Sequence, residues 1–285
     1  MQKDTVLYVL TKSREYLEKK QIANPRLDAE VLLAHVLQME RIRLYTNYDM
    51  VLNESEKDAY RSLLKERATF RPIAYIIGKK DFYDLSFYVD ERVLIPRPET
   101  EELVELFFKS LHTSQENAPH ILDLCSGSGC IGLSIKHKKP DAHVTLCDIS
   151  ADALTVSTKN ASKIFGDIPT NLDFQQDNLG ETLNSASFDY IISNPPYIPI
   201  EEKAGMMPDV VNFEPEQALF LQEPKSFYEK LLSSLQRLLK PNGEVFIECH
   251  SKWTEYLQDI SKNYGFTNIR IILDLSEKSR FLHLS

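Results

Sequence analysis

The chain has 285 residues, 42% hydrophobic and 26% charged, with 33 Lys plus Arg against 42 Asp plus Glu and a net charge of −9. That length suggests a main domain with a smaller companion, and no apolar run approaches the ~18 residues a membrane span needs. The acidic balance speaks against a protein that grips nucleic acid by neutralising phosphates, although a local basic face could survive it.

The start, MQKDTVLYVLTKSREYLEKK, sets only a short apolar stretch among charges and does not read as a secretory leader. This points to the cytoplasm. Val6, Leu7, Leu10 and Leu17 stand at near-helical spacing. Asn24-Pro25 offers an N-cap followed by proline at the first helical position. The helix after it is expected to bury a stripe through Leu27, Val31 and Ala34, widened by Leu33 and Leu37. Asn53 with Glu56 resembles a capping box opening a helix through Tyr60, Leu63 and Leu64.

From Ile73 to Ile95 the pattern turns β-rich. Phe82, Phe87, Val89, Val93 and Leu94, with breaks at Asp84 and Asp90-Glu91, suggest a short hairpin. Pro96-Arg97-Pro98 stiffens the connection to a helix over about 99–109, and 114–119 reads as a polar loop. Beyond His120, apolar segments at 120–124, 143–148, 172–177, 188–194, 243–249 and 266–273 alternate with stretches of helical length. That rhythm argues for an α/β fold, a mostly parallel sheet covered on both faces. Ligands of such sheets bind beyond the carboxyl ends of the strands, where the winding reverses.

The four cysteines, Cys125, Cys130, Cys147 and Cys249, form no C-x-x-C pair and read as reduced and mostly buried. The seven histidines fall at no ligand spacing, so no metal site is expected.

The first of these strands runs into Cys125-Ser126-Gly127-Ser128-Gly129. Glycines there let the backbone approach a ligand, and the next helix presents its N-terminus. With Gly132 the loop matches G-x-G-x-x-G, a pattern that NAD-binding folds share. Asp148 ends the second strand about 20 residues further on, where a carboxylate accepts hydrogen bonds from a ribose diol; the bland reading is a helix cap. Asp123, at the tip of the first strand, would repel a pyrophosphate. It suits the cationic methionine end of S-adenosylmethionine, directly or through water. Asp177 and Asn178 close the third strand, either beside the adenine or as a mere strand-ending turn.

Asn194-Pro195-Pro196-Tyr197 follows the fourth strand. Amide nitrogen is a poor nucleophile, because its lone pair is delocalised, so positioning must supply much of its catalysis. The Asn194 oxygen can accept one N–H of a target amide. Pro196 lacks an N–H, which leaves the Pro195 carbonyl free to accept the other. Tyr197 offers a flat face for a planar amide or base.

The chain resembles the release-factor glutamine methyltransferases, the HemK family, almost end to end. The resemblance is carried by RPIAYIIGKKDFYDLSFYVDERVLIPRPETEELVE (71–105), ILDLCSGSGCIGLSI (121–135), CDISADAL (147–154), FDYIISNPPYI (188–198) and FEPEQAL (213–219). It implies a seven-stranded Rossmann-like methyltransferase domain (99–285) behind a helical substrate-recognition domain (1–72) and a hairpin with linker (73–98). It also implies S-adenosyl-L-methionine as cofactor and class I peptide-chain release factors as partners, methylated on the glutamine of their Gly-Gly-Gln loop. Asn194 and Pro195 would take that amide with Tyr197 beside it. Residues 125–129, Asp148, Asn178 and Asn194 would line the cofactor, and Arg97, Glu99 and Thr100 would join the domains near the site.

Three departures stand out. Gln222-Glu223-Pro224-Lys225 replaces a Gly-Gly-containing stretch, Glu248-Cys249-His250 replaces the usual Glu-Ile-Gly, and no glycine precedes Arg280. All three are expected to lie away from the catalytic motif. The same N-P-P-Y would serve an adenine-N6 methyltransferase acting on a flipped base, and a non-enzymatic module could keep the fold. The first is disfavoured by the charge and the PRPETE linker, the second by the intact Gly127, Asp148 and Asn194.

Overall fold

A computed structural model describes residues 4–111 and 118–285, so most of the loop expected at 114–119 and the first three residues lie outside it. The described chain divides into two compact units, 1–78 with 207–213, and 79–206 with 214–285.

The first unit is helical: α1 (Val6–Lys19), α2 (Pro25–Val36), α3 (Arg41–Thr46), α4 (Glu54–Arg67) and α5 (Ile73–Ile77), with α9 (Pro208–Phe213) returning to it later in the chain. The capping box of α4 forms as expected: Asn53 accepts from the Glu56 N–H while Glu56 accepts from the Asn53 N–H. Asn24 precedes Pro25 at the start of α2, but its side chain makes no cap bond. The buried face of α2 is also rotated from the expected stripe. Leu33 and Ala34 are buried as expected, but Ala29 and Leu32 are sealed with them, whereas Leu27 is 44% exposed. The reason is polar: Tyr60 donates to the Ala29 carbonyl at 2.9 Å and Arg67 to Asp28 at 2.7 Å, which turns that side of α2 towards α4. Arg67 also stands 3.7 Å from Asp209 of α9. Ile73–Ile77, read as the start of the β-rich stretch, instead closes as a helix on Gly78, whose φ of +64° supplies the left-handed cap.

The second unit opens with a hairpin, β1 (Lys80–Phe82) and β2 (Leu85–Phe87), turning through Tyr83 and Asp84. Then follow α6 (Pro98–Leu111), β3 (His120–Leu124), α7 (Cys130–Lys138), β4 (His143–Asp148), α8 (Ala151–Phe165), β5 (Leu172–Gln176) and β6 (Phe188–Ser193). The chain continues through β7 (Ile198–Pro199), α10 (Glu216–Leu219), β8 (Phe220–Leu221), α11 (Pro224–Leu238), β9 (Leu239–Glu248), α12 (Thr254–Ser261), β10 (Ile269–Leu273) and β11 (Ser279–Leu284).

The seven-stranded sheet has the order β10-β11-β9-β6-β3-β4-β5, parallel except that β11 runs against both its neighbours. No candidate strand was placed at β11. Its polar Ser279, Arg280 and His283 interrupt the apolar run, and an antiparallel neighbour needs no crossover helix to announce it. The mostly parallel, doubly covered sheet is as expected.

Side chains along β3 alternate faces. Ile121 joins the layer under α6 and α7, with Leu103, Phe107 and Leu133. Leu122 and Leu124 join the layer under α11 and α12, with Leu231, Leu235 and Leu257. Each fully buried leucine of α11 contributes about 1.5–3 kcal/mol of transfer free energy. The winding reverses between β3 and β6, because the chain proceeds from β3 to β4 and β5 on one side and then returns to β3's other edge. At that reversal Leu124 pairs with Ser193, and Ser193 Oγ donates to the Leu124 carbonyl at 2.7 Å. The glycine loop and the N-P-P-Y turn therefore leave the sheet side by side.

Candidate active site

A cavity of about 310 Å³ opens at this reversal. Of the residues singled out in the sequence, Cys125, Ser126, Gly127, Ser128, Asp148, Asp177, Asn178, Asn194 and Pro196 line it. The glycine loop is shaped for close approach. Gly127 has φ +52° and a Cβ there would meet nothing within 4 Å, so that side of the turn is open. Gly129 is needed for the opposite reason: a Cβ would stand 2.8 Å from Leu146 Cδ2 and 3.0 Å from Leu133 Cδ1. Asp148 links the loop to β4, accepting the Gly127 N–H at 2.8 Å and the Ser150 N–H at 2.9 Å. Burial raises its pKa, against the pull of those backbone donors. Ser126 Oγ is buried and meets no hydrogen-bond partner among the described residues. An open loop, an orphaned hydroxyl and a half-satisfied carboxylate fit a polar, diol-bearing ligand such as S-adenosylmethionine.

Asp123, Gly129, Pro195 and Tyr197 do not line the cavity, and two of them change their expected roles. Asp123 follows Ile121 by two positions and so lies on the α7 side of β3, behind the cavity lining. Its Oδ2 accepts the Gly132 N–H at 2.8 Å, its Oδ1 is orphaned among the described residues, and burial pushes its pKa up to about 7. Tyr197 is not a free stacking platform. Its ring packs among the α11 and α12 layer, and its hydroxyl donates to Glu248 Oε1 at 3.1 Å. Asp177 serves the turn, its Oδ2 accepting from both the Thr182 N–H at 2.7 Å and the Thr182 hydroxyl at 2.6 Å. Asn178 donates to Glu181 at 2.9 Å.

The late-strand departure does not lie away from the motif, since its His250 packs near Tyr197 and the Glu248 that precedes it bonds Tyr197 directly. Glu248 is 0% exposed and accepts from Thr100 Oγ1 at 2.7 Å as well as from Tyr197. Burial raises its pKa, opposed by those two bonds and by Arg280 at 4.0 Å. His250 sets its ring 6.3 Å from that of Tyr197. The other altered stretch, 222–225, starts α11, with Pro224 in the first turn.

Several residues that form or back the cavity wall were not singled out for this role. Glu214 of the FEPEQAL segment accepts from Arg97 at 2.6 Å and from the Ile95 N–H at 3.2 Å, fastening the PRPETE segment beside the cavity. Arg92, Leu94, Gln217 and Phe220 complete that wall. Their sequence signal was faint because each lies on a loop or a two- to four-residue element. Among the described residues no group of His, Cys, Asp or Glu could hold a metal ion, and no helix is long and apolar enough to cross a membrane.

Residues 9–78 match the family model of the PrmC N-terminal domain, and residues 101–212 that of the methyltransferase small domain. The chain is 45% identical over 285 residues to the release factor glutamine methyltransferase of Leptospira interrogans serogroup Icterohaemorrhagiae serovar Lai (strain 56601), covering 99% of this chain and 98% of that one. This chain belongs to the release factor glutamine methyltransferase family. The family member from Chlorobaculum tepidum (strain ATCC 49652 / DSM 12025 / NBRC 103806 / TLS) is 35% identical, with 98% of this chain and 96% of that one covered. A crystal structure of a methyltransferase from Pyrococcus furiosus shares the fold at a TM-score of 0.52 and 15% identity, over 77% of this chain and 97% of that one. As a member of the release factor glutamine methyltransferase family, the protein is an S-adenosylmethionine-dependent enzyme.

Proposed function

We infer that the enzyme methylates the side-chain amide nitrogen, N5, of the glutamine in the Gly-Gly-Gln loop of class I peptide-chain release factors. The observation that carries the reading is that Asn194 and Pro196 of the N-P-P-Y turn line the same cavity as the glycine loop and Asp148. S-adenosylmethionine supplies an electrophilic methyl group on a sulfonium cation. The residues Cys125 to Ser128 and Asp148 hold the cofactor. Asn194 Oδ1 accepts one N–H of the glutamine and the Pro195 carbonyl the other, which fixes the plane of a weak nucleophile and leaves its nitrogen facing the donor. The helical unit recognises the body of the protein substrate, and the reaction takes place in the cytoplasm.

The full-length likeness to release factor glutamine methyltransferases favours this reading over the adenine-N6 alternative. The test is incubation of the full chain with labelled cofactor and purified release factors, then peptide mass spectrometry. One methyl group on the glutamine of Gly-Gly-Gln is the expected result. Label on another residue, or on nucleic acid alone, overturns it.

A further inference from the structure

We infer that Thr100 and Glu248 are positioning residues that fix which way the Asn194 side-chain amide faces. This deepens the reading above and rests on it, since it concerns the group assigned to hold the glutamine. An asparagine amide has nearly the same shape in both orientations, so packing alone cannot tell its oxygen from its nitrogen. Only hydrogen-bond direction can, and the chain supplies it through two buried groups in series behind the half-buried Asn194.

Asn194 Nδ2 donates to Thr100 Oγ1 at 3.1 Å, and Thr100 Oγ1 donates to Glu248 Oε2 at 2.7 Å. A threonine hydroxyl has a single proton, and the Glu248 carboxyl accepts it at Oε2, while its Oε1 takes the Tyr197 hydroxyl and faces Arg280. The bond to Glu248 therefore commits that proton, and towards Asn194 the hydroxyl can only accept. The NH₂ end of the amide is the end that can meet an acceptor. Oδ1 is thereby turned away from Thr100, free to accept from the substrate in the cavity that Asn194 lines. The reversed amide would face Thr100 lone pairs with its own oxygen and offer donors to a glutamine N–H.

Burial makes the device strict. Thr100 is 1% exposed and Glu248 0%, so bulk solvent cannot exchange donor for acceptor at either. The other oxygen of the same carboxylate takes the Tyr197 hydroxyl at 3.1 Å, so both ends of the N-P-P-Y turn hang on one residue at the end of β9. Arg280 lies 4.0 Å from that oxygen and is itself held by Asp274 at 2.6 Å.

Three full-length variants test the relay under saturating cofactor with unmethylated release factor. Thr100→Val keeps the shape and removes the hydroxyl. Thr100→Ser returns the hydroxyl. Glu248→Gln introduces an NH₂ that can donate to Thr100 and release its proton towards Asn194. The expected result is a single-turnover rate lowered roughly a hundredfold in Thr100→Val and Glu248→Gln, the cost of a misplaced reacting group. The KM for release factor should move by no more than about threefold, because a transition-state contact and not general binding is lost. Thr100→Ser should recover most of what Thr100→Val loses. In the cofactor-free enzyme, the side-chain amide resonances of Asn194, labelled with nitrogen-15, should shift in Glu248→Gln.

A wild-type single-turnover rate in Thr100→Val, while Asn194→Ala is inactive, overturns the relay and leaves the reading of Asn194 standing. If Asn194→Ala is itself fully active, it is the reading that fails. Equal loss in Thr100→Ser and Thr100→Val, with the Asn194 resonances unmoved in Glu248→Gln, also overturns the relay, since the effect is then packing.

Discussion

Asp148 Oδ2 accepts the Gly127 N–H at 2.8 Å, so the acidic end of β4 is tied directly to the turn after β3. Asp148→Ala removes a carboxylate assigned to the cofactor and also frees the turn. Losing hydrogen bonds to a charged acceptor should weaken S-adenosylmethionine binding by about 1.5–3 kcal/mol. Titration calorimetry on the folded variant measures this directly. Unchanged affinity would take Asp148 out of the cofactor site.

The two glycines of the loop should fail differently. At Gly129 an alanine methyl meets Leu146 and Leu133 at 2.8 and 3.0 Å, at a φ of +78°. Left-handed strain of about 1–2 kcal/mol and overpacking of about 1–3 kcal/mol should then appear as lost stability in a denaturant melt. At Gly127 the methyl meets nothing within 4 Å, and only the strain of a φ of +52° remains. Gly127→Ala should cost about 1–2 kcal/mol of stability but a larger share of cofactor affinity, since the added methyl occupies the ligand's approach. Equal stability losses in the two variants would contradict the packing difference.

Asn194→Ala removes the acceptor proposed for the glutamine amide. The transfer barrier should rise by at least ~3 kcal/mol, more than a hundredfold in rate, measured in single turnover at saturating cofactor. Asn194→Asp retains an acceptor but no donor for Thr100, and places a second carboxylate near Glu248. It should rescue little. A folded Asn194→Ala enzyme with most of its rate would reduce N-P-P-Y to a structural turn.

Asp123 should leave a mark on the pH dependence of stability. Its folded pKa of about 7 lies above the ordinary 3.8 because burial penalises the charge. The folded chain thus keeps a proton that the unfolded chain has released. Its contribution to stability is full below about pH 4 and is lost as pH rises through about 7. Asp123→Asn is neutral throughout and abolishes this term, whatever its constant offset. Between about pH 4 and 7 the wild-type Tm should therefore change less favourably than that of the variant, with no further divergence above about pH 8. Parallel curves would show that Asp123 titrates in the ordinary range.

What the sequence made legible was local. The glycine loop, the acidic strand end and the N-P-P-Y turn are short backbone motifs, and the strands that carry them read as apolar runs. The Thr100–Glu248 bond joins residues 148 positions apart, and only the packing of α6 against β9 brings them together. Nothing in either neighbourhood announces the pairing. Asp123 lies outside the cavity lining for a different reason. Standing beside the loop suggested the ligand, but the alternation of side chains along β3 sends it to the α7 face, where Gly132 awaits it. Tyr197 gives its hydroxyl to Glu248, a carboxylate whose position no spacing rule could supply.

The return of α9 to the helical unit has a practical meaning for anyone exchanging parts between relatives. The residues 207–213 come soon after the N-P-P-Y turn in the chain, yet they belong with 1–78, and Asp209 stands 3.7 Å from Arg67. A chimera made by a single splice after Gly78 would pair a foreign helical unit with the resident 207–213 segment and leave Arg67's counterpart unmatched. Transplanting the helical unit therefore takes three junctions, with the short internal segment carried across together with the N-terminal one.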